Sequence, residues 1–119
     1  MQILLVERDT YLRAGFAFCL EAEGYCVLQA SKITPSALRE RHVDLIVIDA
    51  GALDESGGPA WAALAESTSS PILALALSQE EESRLRRSRH HRVAYLVKPF
   101  SLRLFVHTIN DLCVRLQVA

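Results

Sequence analysis

The sequence lacks a charge imbalance, a long hydrophobic run and a secretory leader. Its 119 residues carry 13 Lys and Arg against 14 Asp and Glu, whereas proteins that coat nucleic acids usually have a large excess of positive charge. No apolar run approaches the roughly 20 residues of a membrane-spanning helix, and no basic leader precedes the first apolar segment. These absences argue against direct nucleic-acid binding, membrane insertion and secretion, and predict a cytoplasmic protein.

Cysteine is scarce and fits no metal site. Cys19, Cys26 and Cys113 are odd in number and match neither a C-x-x-C motif nor a zinc spacing. We therefore expect three reduced thiols that pack in the core. The adjacent His90 and His91 are poorly placed to share one metal ion on a helix, so a zinc site is not expected either.

One basic run, residues 84–92, follows the acidic residues 80–82. No aromatic side chain is interleaved with its arginines, which favours a solvated helix face. A protein-binding surface and contact with nucleic-acid phosphates are the alternatives, in that order.

Half of the residues are hydrophobic, which is enough to bury a full core in one domain that spans residues 1–119. Strand and helix patterns alternate along the chain, as is typical of βαβ units with a parallel sheet. We predict five strands, at residues 3–6, 26–30, 44–49, 71–77 and 93–97. We also predict five helices, which begin near residues 10, 35, 59, 79 and 101.

Local signals define several helix ends and buried faces. Asp9 or Thr10 can cap the first helix and Gly24 ends it, while Ser78 and Glu81 match a capping box for the fourth helix. The fourth helix also offers two i,i+4 ion pairs, Glu80 with Arg84 and Glu82 with Arg86. Helical spacing predicts buried stripes in the first helix (Leu12, Phe16, Cys19, Leu20) and in the last (Leu102, Phe105, Ile109, Leu112, Leu116).

Polar residues follow three of the predicted strands. Asp49 ends an apolar strand, which places its carboxylate at the carboxyl edge of a parallel sheet, where open α/β folds bind their ligands. Two other strands end in Glu7-Arg8-Asp9 and in Lys98-Pro99, and we expect these residues to meet Asp49. No glycine-rich phosphate loop follows the first strand, which argues against a nucleotide-binding enzyme.

With these residues and the run Tyr95-Leu96-Val97-Lys98-Pro99-Phe100-Ser101-Leu102, the chain resembles the CheY-like receiver domain of two-component response regulators from end to end. The resemblance implies a flavodoxin-like fold, a doubly wound parallel sheet in the order 2-1-3-4-5. It implies a cis Lys98-Pro99 bond, Asp49 as phosphoacceptor, Lys98 as the phosphoryl contact and Tyr95 as the switch aromatic. It also implies a magnesium ion held by Asp49, by the Gly51 carbonyl and by a carboxylate at the position of Arg8.

Arg8 departs from that pattern. Replacing a carboxylate by a guanidinium changes the local charge by two units, and unit charges about 4 Å apart interact by roughly 4 kcal/mol at an effective dielectric near 20. Arginine also offers no oxygen to magnesium. We therefore predict that Arg8 contacts Asp49 and that magnesium binds weakly or not at all, with Glu7 as a weak acid beside it. A first strand one residue longer would make Asp9 the ligand instead.

Two further departures concern the switch and the loop after Asp49. Ala76 stands where the family has a Ser or Thr hydroxyl, and Ser78 fits a helix cap better than a substitute. In the loop, Leu53 and Ser56 stand where the family often has Pro and Asp, whereas Gly57 is retained.

The sequence thus predicts an atypical receiver domain, with no enzymatic activity of its own, that acts through protein contacts. The alternative is a conventional switch in which a histidine kinase phosphorylates Asp49. A third interpretation of Asp49, Lys98 and Arg8 is a structural charge cluster. The expected partners are an output domain, a kinase or a second copy, bound on the predicted fourth helix, fifth strand and fifth helix. In one subfamily of receivers an acidic pair before the strand-five aromatic forms the salt bridges of a dimer. Val93-Ala94 stand at that place here.

Overall fold

The computed structural model describes residues 1–32, 42–52, 66, 68–86 and 93–118, with the side chains of residues 52 and 116–118 excepted. Five parallel strands form one sheet in the order β2-β1-β3-β4-β5. The predicted fold class and strand order are therefore confirmed. The strands are β1 (Gln2–Val6), β2 (Cys26–Ala30), β3 (Leu45–Asp49), β4 (Ile72–Ala76) and β5 (Val93–Val97).

Three α-helices fall within the described residues. They are α1 (Thr10–Ala22), α2 (Gln79–Arg86) and α3 (Leu102–Val118), and one 3-10 turn covers Ala50–Ala52. The helices α2 and α3 are the predicted fourth and fifth helices. The predicted second and third helices, from residues 35 and 59, lie outside the described part of the chain.

Strands β3 and β4 are shorter than predicted, because polar or proline groups end them. Asp44 precedes β3 and its carboxylate accepts a 2.7 Å hydrogen bond from the Gln2 backbone N–H. Pro71 has no N–H to donate to a ladder, although its carbonyl accepts from Ile46 N at 3.0 Å. After β4, Leu77 turns out to solvent.

Both faces of the central strands are covered. Every residue of β3 and β4 is buried, and alternate residues belong to two apolar clusters on opposite sides of the sheet. Burying a large apolar side chain stabilises the fold by about 1.5–3 kcal/mol. This double coverage fixes β3 in the middle of the sheet and delivers Asp49 to its carboxyl edge.

The buried stripes of the helices are confirmed in part, since Phe16, Leu20, Phe105 and Ile109 are buried as predicted. Helix α1 buries Phe16, Ala17 and Leu20, and α3 buries Phe105, Ile109 and Cys113. The side chains predicted at the start of each stripe, Leu12 and Leu102, are 41 % and 48 % exposed. Phe16 of α1 and Phe105 of α3 meet Phe100 in a stack of three phenyl rings, with centroids 4.5–5.7 Å apart.

The three cysteines are free thiols, but only Cys113 is buried. Cys19 is half-buried and Cys26 is exposed. The expectation of a core position is wrong for Cys26, because β2 is an edge strand in which no residue is fully buried. Among the described residues, no helix is both long and apolar enough to cross a bilayer.

Candidate functional site

The ends of β1, β3 and β5 bring two carboxylates and a lysine together at the carboxyl edge of the sheet. Val6 pairs with Ile48, so the next residues, Glu7 and Asp49, lie side by side. Both are 1 % exposed, and they are the only buried charged residues in the described part of the chain. Burial of two adjacent carboxylates requires nearby cations, because an unpaired buried charge is costly.

Lys98 is the first of those cations. Its Nζ lies 3.2 and 3.1 Å from the two Glu7 oxygens and 3.4 Å from Asp49 Oδ1. Its backbone N–H donates to Ala76 O at 2.8 Å, which fixes Lys98 just past the end of β5. The Lys98-Pro99 bond is cis, as the resemblance predicted.

Arg8 is the second cation, on the opposite side of Asp49. Its Nε donates to Asp49 Oδ2 at 3.2 Å, which confirms the predicted contact. The Gly51 N–H donates to Asp49 Oδ1 at 3.2 Å. Asp49 therefore has donors on both carboxylate oxygens, from Lys98 and Gly51 on one and from Arg8 on the other.

Gly51 makes room for the guanidinium. A Cβ at this position would collide with the Nη2 and Cζ atoms of Arg8, so Arg8 lies directly over the backbone whose carbonyl was the predicted magnesium ligand. The resemblance implied a metal role for Gly51, and sequence reasoning missed this packing role. The only available signal was a glycine two residues after Asp49, with an arginine at the end of another strand of the same edge.

The charges of the site are balanced. Glu7 and Asp49 face Lys98 and Arg8, for a formal sum of zero. Burial and, to a lesser degree, the charge of Asp49 raise the pKa of Glu7, while hydrogen bonds from Lys98 oppose the rise. Glu7 is thus the carboxylate most sensitive to loss of its lysine.

This arrangement does not fit a magnesium ion. Magnesium requires oxygen ligands in near-octahedral order. Here the space next to Asp49 Oδ2 is occupied by the Arg8 guanidinium, which lies over Gly51. The described residues contain no group of three His, Cys, Asp or Glu side chains that could hold a metal. The chemistry that the site offers is anion pairing by two cations, Lys98 and Arg8.

Asp9 is a helix cap at the rim of the site. Its Oδ1 accepts from the backbone N–H groups of Tyr11 and Leu12 at 2.9 and 3.0 Å, and β1 ends at Val6. The alternative of a longer first strand with Asp9 as a metal ligand is therefore wrong. A role that sequence reasoning missed belongs to Arg13, which donates to the Glu7 carbonyl at 2.9 Å and holds the chain leaving β1.

Ala76 is fully buried at the end of β4 and brings no hydroxyl to the site. Ser78, two residues on, accepts from Glu81 N at 3.1 Å, while the Glu81 carboxylate accepts from Leu77 N at 2.9 Å. Ser78 is thus engaged as the predicted cap of α2. Leu53, Ser56 and Gly57 lie outside the described residues.

Tyr95 is half-buried on β5 and is tied to α2. The Arg86 guanidinium lies 4.4 Å from its ring centroid, and Arg86 also bonds Glu82 at 2.7 Å, as predicted. Arg84 pairs with Glu81 at 3.6 Å rather than with the expected Glu80, one residue earlier. The rest of the basic run, residues 87–92 with both histidines, lies outside the described residues.

Neither a protein-family model nor a curated protein matches the sequence. Solved structures do match the fold. A CheY-like response regulator receiver domain from Methanospirillum hungatei aligns with a TM-score of 0.79 at 20% identity, covering 98% of this chain and 95% of the other. The beryllofluoride-activated NtrC4 receiver domain dimer aligns at 0.77 and 21% identity, covering 97% and 98%.

A third match carries a metal in its own site. The receiver domain of a sensor histidine kinase from Pseudomonas aeruginosa, with magnesium coordinated in its active-site cleft, aligns at a TM-score of 0.73 and 22% identity, covering 92% of this chain and 94% of that domain. All three alignments span nearly the whole of both chains. The chain therefore has the fold of the CheY-like response-regulator receiver domains.

Proposed function

We propose that this chain is a receiver-type module of two-component signalling that works through protein contacts, with magnesium-dependent phosphorylation of Asp49 weak or absent. The main support is the Arg8 guanidinium, which bonds Asp49 Oδ2 and lies over Gly51. An arginine in this place neutralises the nucleophile and fills the space that a metal needs.

Electrostatics make Arg8 and magnesium competitors for one place. For a divalent ion to reach Asp49, the guanidinium must leave, because positive charges about 4 Å apart repel by roughly 4 kcal/mol per unit charge at an effective dielectric near 20. Arg8 is 49 % exposed, so solvent screens part of this repulsion. Its departure would nevertheless cost the only observed partner of Asp49 Oδ2 among the described residues.

The connection from Asp49 to a switch is also altered. A hydroxyl at position 76 is missing, and Tyr95 packs under Arg86 on the far side of β5. A phosphoryl group on Asp49 could not accept a hydrogen bond from residue 76, because Ala76 has no hydroxyl. Signalling through occupancy of a protein surface requires no such donor.

The surface of α2, β5 and α3 is the one we propose for the partner. It carries the exposed apolar side chain of Leu104, together with Tyr95 and Arg86. Tyr and Arg are the residue types most enriched among energetically dominant interface residues. The expected occupant is an output domain or another signalling protein.

The second candidate function is a conventional phosphoryl switch, and Lys98 favours it. Its Nζ touches Asp49 Oδ1, where a lysine can stabilise oxygens of a transferred phosphoryl group. In that reaction, an Asp49 oxygen forms a bond to phosphorus as the bond from phosphorus to the donor breaks, and the donor leaves with the electron pair. The product is an acyl phosphate on Asp49.

Intact-protein mass spectrometry after incubation with acetyl phosphate separates the two candidates. We expect no gain in the wild type with or without magnesium, and a magnesium-dependent gain of one phosphoryl group in Arg8→Asp. Arg103→Asp makes the same charge change at an exposed site on α3 and is the matched control. Asp49→Asn in the Arg8→Asp background should abolish the gain.

The contrary outcome is equally specific. A magnesium-dependent gain in the wild type that Asp49→Asn abolishes would overturn the proposal and establish the conventional switch. Calorimetric titration of magnesium into the wild type and into Arg8→Asp provides a readout that needs no phosphodonor. We expect heat from binding only in the variant.

A further inference from the structure

Helix α1 carries large side chains with apolar rings on the side away from the core as well as on its buried side. Among its 13 residues only Arg13 and Glu21 are charged, and Phe16, Ala17 and Leu20 face the core. A helix at the surface of a globular protein normally turns polar residues to solvent, whereas α1 exposes the aromatic rings of Tyr11 and Phe18. The side of α1 that faces away from the core is therefore a candidate interface.

That side, which we call the outer α1 face, consists of Tyr11, Gly15, Phe18 and Ala22. At 3.6 residues per turn these four fall opposite the buried side chains, and their spacing of four, three and four residues is that of a helix–helix seam. Tyr11 is 90 % exposed and Phe18 is 73 % exposed. Two protruding aromatic rings thus flank a glycine.

We propose that the outer α1 face pairs with the same face of a second copy of this chain, with the two α1 helices antiparallel about a two-fold axis. Phe18 protrudes, and one turn earlier a Cβ at Gly15 would meet no atom within 4 Å. Beside Gly15 lies an open cavity of about 330 Å³, lined by Tyr11, Leu12, Gly15, Phe16, Lys98, Pro99, Phe100 and Leu102.

A two-fold interface needs such a self-complementary pair. In it, residue i of one copy contacts residue j of the other, and j contacts i. With the axis between Gly15 and Phe18, each Phe18 ring enters the cavity beside the partner's Gly15. Phe18 is the protruding residue and the cavity beside Gly15 is the socket. Because both belong to one helix and lie one turn apart, two copies of the chain meet this condition without any other protein.

The exposed rings supply a large part of the area that a specific dimer needs. A buried aromatic side chain covers about 150–250 Å², so the two exposed rings of each copy would supply on the order of 600 Å², or about half of a small specific interface of about 1,200 Å². Ala22 and the exposed parts of Leu12 and Leu102 extend the apolar area on both sides.

The charges at the rim also suit an antiparallel pair. Glu21 and Glu23 lie at the C-terminal end of α1, where the helix dipole disfavours negative charge. About the same axis they lie opposite the partner's first turn, where the dipole favours it. On the α3 side, Arg103 and His107 line a hollow together with Glu23, so both signs are present at the rim for pairing between copies.

The four residues of the outer α1 face are distinct from Leu104, Tyr95 and Arg86 of the proposed α2, β5 and α3 surface, although Leu102 and Arg103 of α3 lie at its rim. Sedimentation velocity of the full chain, from micromolar to millimolar concentration, tests the proposed pairing. We expect a concentration-dependent dimer in the wild type that Phe18→Glu weakens by about 30-fold or more, as expected for a central aromatic of an interface. Leu104→Glu, the matched control on the other surface, should leave the dimer intact.

A second variant keeps the test independent of a new charge. Gly15→Leu fills the socket with a good helix former, so it should preserve the fold, checked by circular dichroism, and still weaken the dimer. A wild type that remains monomeric at millimolar concentration would overturn the proposal. A dimer that Leu104→Glu breaks and Phe18→Glu does not would overturn it in favour of the other surface.

Discussion

Asp49 is held by two cations that differ in depth. Lys98 is 16 % exposed, bonds both Glu7 and Asp49, and is fixed through its own backbone to β4. Arg8 is 49 % exposed and touches Asp49 through one N–H, from a position open to solvent on one side. Solvent screens the interaction between two charges less when they are buried. Lys98 is therefore a structural element of the site. Arg8 is instead an exchangeable plug, by which we mean a side chain that fills the space beside Asp49 and can be replaced at small cost in stability.

The residues of the site that match the receiver pattern differ in position from those that depart from it. Lys98, Pro99 and Asp49 stand in the pattern: Asp49 ends β3, which is buried on both faces, and Lys98 and Pro99 follow the half-buried edge strand β5. Arg8 and Ala76 depart from it at positions where a change in chemistry leaves the sheet intact. The fold therefore persists whether or not the phosphoryl chemistry does.

Breaking the lysine side should have the largest effect. Lys98→Met leaves two carboxylates buried without their shared cation, and removal of one partner from a buried ion cluster typically costs about 3–5 kcal/mol. We expect the free energy of unfolding, measured in urea, to fall by about 3 kcal/mol. Arg8→Met is the matched control and should cost about 1 kcal/mol or less, as for exposed pairs.

A second substitution keeps this prediction testable if Lys98→Met fails to fold. Adding Glu7→Gln removes one of the two carboxylate charges that have lost Lys98, while keeping the shape of the side chain. The double variant should regain part of the lost stability. Equal losses for Lys98→Met and Arg8→Met would show that the two cations do not differ as the geometry indicates.

The pH dependence of stability sharpens the comparison at Glu7. Its pKa is raised in the folded state, first by burial and then by Asp49, so the folded protein binds a proton there more tightly than the unfolded chain does. The stabilising contribution is therefore complete below the ordinary pKa of 4.5 and is lost as pH rises through the raised folded value.

Urea unfolding of wild type and Glu7→Gln across that window measures the effect. The stability of the wild type relative to Glu7→Gln should fall as pH rises from below 4.5, by about 1.4 kcal/mol for each unit by which the pKa is raised. Glu82→Gln, on exposed α2, is the control. A difference that instead grows with pH would mean that Lys98 lowers the pKa of Glu7 more than burial raises it.

How far the sequence predicts this site depends on which contacts follow from strand order. The edge location of Asp49, its contact with Arg8 and the cap formed by Ser78 follow from strand ends and local motifs, because parallel strands end together and capping is local. The packing of Arg8 on Gly51 does not, because it depends on how one backbone passes under a side chain from another strand.

The full set of buried side chains in the helices is harder to predict from sequence, for a related reason. Periodicity identifies α1 and α3, but both carry more apolar residues than one buried stripe can hold. Phe16 and Phe105 are buried as predicted, and their stack with Phe100 is a contact among three separate segments that helical spacing alone does not predict. Leu12 and Leu102 were predicted to be buried from that spacing and lie instead at the exposed edge of the cavity.

The smallest expected effect tests the plug itself. Gly51→Ala places a Cβ where the Arg8 guanidinium lies, so Arg8 must move out and its bond to Asp49 is lost. The cost should be about 1 kcal/mol or less, because the pair is half exposed. A double-mutant cycle in urea isolates the contact: once Ala occupies position 51, Arg8→Met should cost nothing further. If Arg8→Met costs as much in the Gly51→Ala background as in the wild type, the guanidinium does not depend on the glycine, and the exchangeable plug is not held by the fit between Arg8 and the backbone at position 51.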